Sequence, residues 1–368
     1  MNFDFSLDQK QLQGEIRRAL APFAGAARQA LNSPDQQSWR GLWRHAAALG
    51  WLGIAIPEEH SGAGLGRLEL CLLAEELGRL GAPGPFSSSL YGFAETLLSE
   101  GGSGQLAAWA PGVASGEAIG CLALFEGAGP LRPEAIEVEL SAGRLYGAKT
   151  PVADGDAADV AIVLARQGGE LKLALAPLQQ PNIRREPLTT LDPTRGQCTL
   201  RFDGAEAEVL GGAHDAWPAC LRALDRMAAL IAFEQIGGAQ ACLDAAVAYA
   251  KTRYAFSRPI GSFQGIKHKL ADVYVAIEVA RSNAYYGAWA LAADAAELPA
   301  AAAAARVAAS EAYTLAAQEN LQTHGGMGYT WDADCHLHLR RAKLLAVQVG
   351  GPAWWRERLV QALETRNS

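Results

Sequence analysis

Two segments in the last third of the chain carry the residue types and spacings best suited to chemistry. In YAKTRYAFSRPIGSFQGIKHKLADV (Tyr249–Val273), Arg253 and Gln264 lie on either side of a Pro-Ile-Gly turn that ends one helix and begins another. That arrangement presents a guanidinium and an amide to an anionic ligand. The planar fork of Arg, donating two parallel charge-assisted bonds, suits a diphosphate. The plainer reading of an Arg in such a loop is a solvated side chain. In LQTHGGMGYTWDADCHLHLRRAK (Leu321–Lys343), the pair Gly325–Gly326 follows a long helix and allows the backbone to approach a ligand closely. A helix C-cap would explain one glycine, but less naturally a pair followed by Gly328. His336 and His338 stand two apart beside Asp332 and Asp334, yet no third ligand has metal-site spacing, so no metal is expected. The Gly-rich loop IPEEHSGAGLGRLE, which includes Pro57–Glu69, lacks a Lys-Ser/Thr after its glycines and a suitable strand before them, and reads as a loop-to-helix turn.

The elements that must position these residues are written in the periodicity. Residues 1–118 read as helical, with apolar positions three and four apart in LQGEIRRALAPFAGAARQAL and LELCLLAEELGRLG. Residues 119–215 change to short β-branched or alternating runs (AIEVELSAGRLYG, DVAIVLAR, ELKLALAPL, CTLRFDG) between Gly, Asp and Pro turns, predicting a small antiparallel β domain. Residues 216–368 return to Ala-rich helical segments over Leu221–Thr252, Ile266–Ala293 and Ala300–Thr323, with Pro299 where a new helix would start. Such lengths suit a four-helix-type bundle. The whole is an α+β protein with an uncommon order of helical, β and helical blocks.

Composition excludes several functions. Half of the 368 residues are apolar, enough for a large core. The net charge is -7 and the 32 Lys and Arg form no basic block, so neither nucleic acid nor a membrane surface is an expected partner. No run of eighteen apolar residues is free of charges or helix breakers. The opening MNFDFSLDQK is acidic and lacks an apolar core, which argues against a secretory leader and makes the cytoplasm the expected compartment. Six dispersed cysteines with no CxxC pair read as small buried hydrophobes.

Taken together, the two C-terminal segments resemble those of the acyl-CoA dehydrogenases. The family's R..F..PI..FQ element appears as Arg253, Phe256, Pro259, Ile260, Phe263 and Gln264, and its QxxGGxGY element as Gln322, Gly325, Gly326, Gly328 and Tyr329. PEEHSGAGLG (Pro57–Gly66) is similar to a third family loop, and the resemblance covers essentially the whole chain. It implies the family fold (an N-terminal helical domain, a middle β domain and a C-terminal bundle) and FAD as cofactor. The adenosine and diphosphate would be held by Arg253, Phe256, Gln264, Gln322, Gly325 and Gly326, often across a subunit interface. It further implies an acyl-CoA thioester as substrate and an electron-transfer flavoprotein as acceptor.

The departures from the family bear on the reaction itself. In that family a Glu removes the thioester α proton while flavin N5 takes the β hydrogen as hydride. A positioned base of this kind contributes roughly 10²- to 10⁴-fold. The phrase that usually carries it, ARLLTIYEGT, reads AKLLAVQVGG here and places Val349 at the base position. The alternative position, upstream of Gly237 on the first helix of the C-terminal domain, is Met227. Asp225 matches an Asp used for substrate contact, but the Arg that commonly follows it is Ala228. Glu234 is the nearest remaining carboxylate, at a position where a structural polar role is the simpler expectation. In the β domain, EPGAGSD is represented by FEGAGPLRP around Glu126. The ring-flanking KFWITNG reads KTPVADG, with Pro151 and Ala153 replacing Trp and Thr.

An adenosine clasp beside an eroded ring pocket is similar to the smaller subunits of heteromeric acyl-CoA dehydrogenases that act on steroid side-chain thioesters. LDPTR (Leu191–Arg195), GSFQGIKHKLAD, ARSNAYYGAWA and GGPAWWRERL match that subgroup. The resemblance implies a heterotetramer with a homologous partner that supplies the base. Two other readings stay open: a self-associating homotetramer that uses Glu234 or Asp225, and a non-catalytic paralogue.

Overall fold

The computed structural model describes residues 4–33, 38–212 and 215–367. Met1–Phe3, part of the opening segment read against a leader, lie outside the described residues. The N-terminal helical region contains α1 (Leu7–Leu20), α2 (Ala26–Asn32), α3 (Arg40–Ala48) and α4 (Arg67–Leu80). A wholly buried π-helical stretch, Ser87–Ala94, then leads into α5 (Glu95–Glu100) and α6 (Ser103–Ser115). Helix α1 starts in a reciprocal capping box: Gln9 N–H donates to Ser6 Oγ, and Ser6 N–H to Gln9 Oε1.

The middle region is a sheet of β1 (Gly120–Ala123), β2 (Glu139–Ser141), β3 (Arg144–Ala153), β4 (Val160–Gln167), β5 (Glu170–Pro177), β6 (Ile183–Pro187), β7 (Gln197–Glu206) and β8 (Glu208–Val209). The order is β6-β7-β3-β2-β4-β5-β8. Pairing is antiparallel except at β4, where β1 runs parallel over Val160–Val163 and β2 joins parallel at Arg166. The sequence reading of a purely antiparallel sheet is thus refined, because GCLA is too short to announce its own strand. Val160–Ala165 of β4 are buried throughout, as the continuous apolar run of a covered central strand demands. Leu171–Ala176 of β5 are buried too, including Lys172, whose Nζ donates to Glu170 Oε2 at 2.7 Å.

The C-terminal region holds α7 (Trp217–Thr252), a hairpin of β9 (Tyr254–Ala255) and β10 (Arg258–Pro259), α8 (Gln264–Ala292), α9 (Leu298–His324), α10 (Cys335–Val347) and α11 (Pro352–Asn367). Pro299 stands in the first turn of α9, where its missing N–H costs no helical bond.

Two compact units result. One comprises Met1–Asn32, Leu68–Ala82 and Ala228–Ser368. Within it, α4 and the later part of α7 cross with backbone against backbone: a Cβ on Gly78 would collide with Glu234 O, and one on Gly237 with Glu75 O. Arg17–Glu76 and Arg281–Glu75, each at 2.6 Å, tie α1 and α8 to α4. The other unit, Ser33–Arg67 and Pro83–Met227, contains the sheet and the π-helical stretch. All six cysteines are buried and none is in a disulfide, and no helix among the described residues is long and apolar enough to cross a membrane.

Candidate functional site

The first clasp segment is built by the hairpin that follows α7. Arg253 N–H still donates to Tyr249 O at 2.8 Å, after which β9 and β10 pair around Phe256 and Ser257. These two residues have φ of 53° and 61°, the left-handed pair of a two-residue hairpin turn. Holding two non-glycine residues there costs on the order of 1–2 kcal/mol each, and the result is a Phe256 side chain 91 % exposed. Ile260 N–H returns to Arg253 O at 2.8 Å, so Arg253 is drawn next to the short helical turn that leads into α8. The N-cap of α8, Phe263, offers no side-chain acceptor. The start of a 29-residue helix therefore keeps N–H groups free for an anion, beside exposed Arg253 and Gln264.

The second segment lies where α9 ends. Gly325 takes φ 60° and ψ -140°, a conformation that suits glycine. A Cβ on Gly325 or Gly326 would meet no atom within 4 Å, so the space beside them is open, while Gly325 N–H turns back to donate to Gln322 O. Gly328 is different: a Cβ there would run into Leu321 O, so its small size serves packing. Gln322 is exposed on the last turn of α9. The two segments come together through Tyr249 and His324, whose rings stack with centroids 4.1 Å apart and join the ends of α7 and α9. A guanidinium, two carboxamides, an uncapped helix start and a glycine pair with open space beside it fit a dinucleotide diphosphate, and the exposed Phe256 ring offers a face to an aromatic base. These residues would hold the adenosine diphosphate half of FAD.

The two base positions are apolar and differently housed. Val349 follows α10 with φ 55°, rare for a β-branched residue, and precedes Gly350 at φ 112°. Arg306, fully buried on α9, donates to the carbonyls of Leu345 and Gln348 just before this turn. Burial pulls its guanidinium down to about 9, so it stays charged. Met227 is 3 % exposed, and a Cβ on Gly92 of the π-helical stretch would lie 3.4 Å from its Sδ. Glu234 is fully buried with Oε1 3.5 Å from Arg341 Nη1. Asp225 is buried as well, at 1 % exposure.

On β3, Pro151 is exposed and Ala153 half-buried. The neighbouring Lys149 is fully buried, with Nζ 2.6 Å from Glu126 Oε1 and 3.1 Å from Leu124 O. Burial pushes its ammonium pKa below the usual lysine range. Glu126 also accepts the N–H groups of Glu137 and Val138, so the Glu retained in the eroded loop closes that loop at its base. Sequence reasoning missed Lys149; a lysine inside a strand that otherwise alternates toward the core was the available signal. Asp154, next along the chain, is buried with Ser88 Oγ donating to it at 2.6 Å.

Among the described residues no group of three His, Cys, Asp or Glu could hold a metal, and His338 instead shares a hydrogen bond with Tyr313 at 2.9 Å. A surface cleft of about 420 Å³ beside Trp109, Arg144 and Glu206 contains none of the residues singled out above.

Comparison with known proteins places the whole chain in a family. The family model for the acyl-CoA dehydrogenase C-terminal domain matches residues 215–362, and that for the N-terminal domain residues 6–117. The chain is 35 % identical over 346 residues to acyl-CoA dehydrogenase IpdE2 of Mycobacterium tuberculosis, covering 91 % of each. Among solved structures, a variant of the Tcur3481-Tcur3483 steroid acyl-CoA dehydrogenase has a similar chain, with TM-score 0.88 and 30 % identity over 98 % of this chain and 99 % of that one. The ChsE4-ChsE5 complex from Mycobacterium tuberculosis gives TM-score 0.87 and 26 % identity over 99 % of both. From its N-terminal helices through the middle sheet to the C-terminal bundle, the chain belongs to the acyl-CoA dehydrogenase family, whose members are FAD-dependent oxidoreductases.

Proposed function

We propose that this chain is one of two homologous subunits of a cytoplasmic heterotetrameric acyl-CoA dehydrogenase that desaturates a bulky thioester, of the steroid side-chain kind, at its α,β bond. The observation that carries this is the apolar character of Val349 and Met227, the two positions where the resemblance puts a base, in a chain that keeps Arg253, Gln264, Gln322, Gly325 and Gly326. When bound, FAD accepts the β hydrogen of the thioester as hydride. Arg253, Gln264 and Gln322 would bond its diphosphate side, Gly325 and Gly326 would let it approach the backbone, and Phe256 would pack on the adenosine. Neither Val349 nor Met227 can take the α proton, so a carboxylate of the homologous partner takes it. Electrons leave to an electron-transfer flavoprotein.

Two structural relatives support the heteromeric reading, since each was solved as a pair of differently named proteins. A homotetramer using its own base is less well supported. Its candidates, Glu234 and Asp225, are both buried, and Glu234 faces Arg341 in the core. The test is the flavin content and subunit composition of natively purified protein: a yellow complex with a second homologous chain is expected. A homomer that desaturates thioesters and is silenced by Asp225→Asn would replace this reading. Absence of flavin absorbance from the chain and from all its complexes would favour a non-catalytic paralogue.

A further inference from the structure

Helices α9 and α10 form an antiparallel hairpin, and the loop at its tip begins with Gly325–Gly326. Two polar pins join its arms. Near the tip, Tyr313 Oη and His338 Nδ1 are 2.9 Å apart. Farther away, Arg306 donates to Leu345 O. The pins are symmetric about the glycine pair: Tyr313 and His338 each stand twelve residues from the nearer glycine, Arg306 and Leu345 nineteen. Both therefore record one register, whose midpoint falls between Gly325 and Gly326. Tyr313 is fully buried and seated by Gly238 of α7, where any Cβ would collide with its ring. Its position is thus fixed from the core, and His338 follows it.

We propose that Tyr313 and His338 are positioning residues for the dinucleotide cradle. Their hydrogen bond sets the register of α10 against α9 and so the backbone conformation in which Gly325 and Gly326 meet the diphosphate. This rests on the reading of that loop as part of the FAD clasp. An apolar pair could pack the same helices, but would allow the arms to slip by the fraction of a turn that a directional bond forbids. A slip at this point is delivered to the loop, because Gly325 N–H still donates to Gln322 O on the last turn of α9 and Gly325 alone separates that turn from Gly326.

The test uses the full chain in its complex. Tyr313→Phe removes one oxygen and keeps the ring; His338→Leu removes the ring nitrogen that shares the bond; His338→Asn keeps a polar group close to the position of Nδ1. Amide hydrogen exchange of residues 325–334 is followed in the flavin-free chain, and FAD affinity in the complex by flavin fluorescence. Tyr313→Phe and His338→Leu are expected to speed exchange in that loop and weaken FAD by roughly threefold to tenfold, the span of one hydrogen bond. His338→Asn should restore most of both. Unchanged exchange and affinity in Tyr313→Phe would overturn the proposal, as would His338→Asn behaving like His338→Leu. Faster exchange in a protein that takes up no FAD at all would uphold the pin and overturn the clasp reading instead.

Discussion

Glu234 of α7 and Arg341 of α10 meet as a buried ion pair 3.5 Å apart, with side chains 0 % and 3 % exposed. Arg341 also donates to Ala82 O at 2.9 Å. Removing one member of such a pair leaves a charge in the core, whereas removing both is often mild. Arg341→Met should therefore destabilise the fold by about 3 kcal/mol, and Glu234→Gln/Arg341→Met by clearly less, as read by chemical denaturation. Glu234→Gln should keep desaturation in the assembled enzyme. Loss of turnover with unchanged stability would make Glu234 a base after all.

The Tyr249–His324 stack joins the ends of the two helices that carry the clasp. An aromatic pair of this kind contributes about 0.5–1.5 kcal/mol beyond its buried area. Tyr249→Ala is expected to weaken FAD retention roughly threefold to tenfold, measured as flavin per polypeptide after dialysis. Full retention would mean that the two segments are held by other contacts.

Asp154 gives the folded state a pH dependence of unusual sign. Burial, outweighing the nearby Arg195 charge and the bond from Ser88, raises its carboxyl to about 6 from 3.8. The folded chain then holds a proton that the unfolded chain has released. The contribution is fully present below pH 3.8 and is lost as pH rises through about 6. With Asn at 154, the residue in the corresponding family phrase, this loss disappears. The stability difference between Asp154→Asn and the parent should grow between about pH 4 and 7 in favour of the variant, by up to about 3 kcal/mol. A difference flat with pH would show that Asp154 is ionised in the folded state throughout.

Much of this was legible in the sequence. Helices α7 to α9 were visible because an apolar face repeats along their whole length; the predicted Leu221–Thr252 falls within Trp217–Thr252. The turn between Arg253 and Gln264 was legible because it is local: the two residues sit eleven apart around one Pro-Ile-Gly turn. Strand β6 was missed because an edge strand reading IRREP carries charges where a central strand would carry apolar residues. The pairs Tyr313–His338 and Glu234–Arg341 join residues 25 and 107 apart, and only helix packing sets such distances. No periodicity in one sequence marks which buried Tyr or Glu has a partner.

Val349→Glu alone should not revive the single chain. The residues expected to flank the ring, Pro151 and Ala153, lack the indole and hydroxyl of the family phrase, so a base restored at 349 has no properly held acceptor to work with. Any thioester desaturation by purified Val349→Glu above that of the parent chain would show that the carboxylate was the only missing part.

The most direct measurement of the central claim is steady-state desaturation of a bulky acyl-CoA, with an artificial electron acceptor, by the purified chain alone and by the same chain copurified with its homologous partner. No turnover is expected from the chain alone, and turnover from the yellow complex, abolished when the partner's base is replaced by an amide. Full activity of the single chain, with its own flavin and no partner, would contradict it.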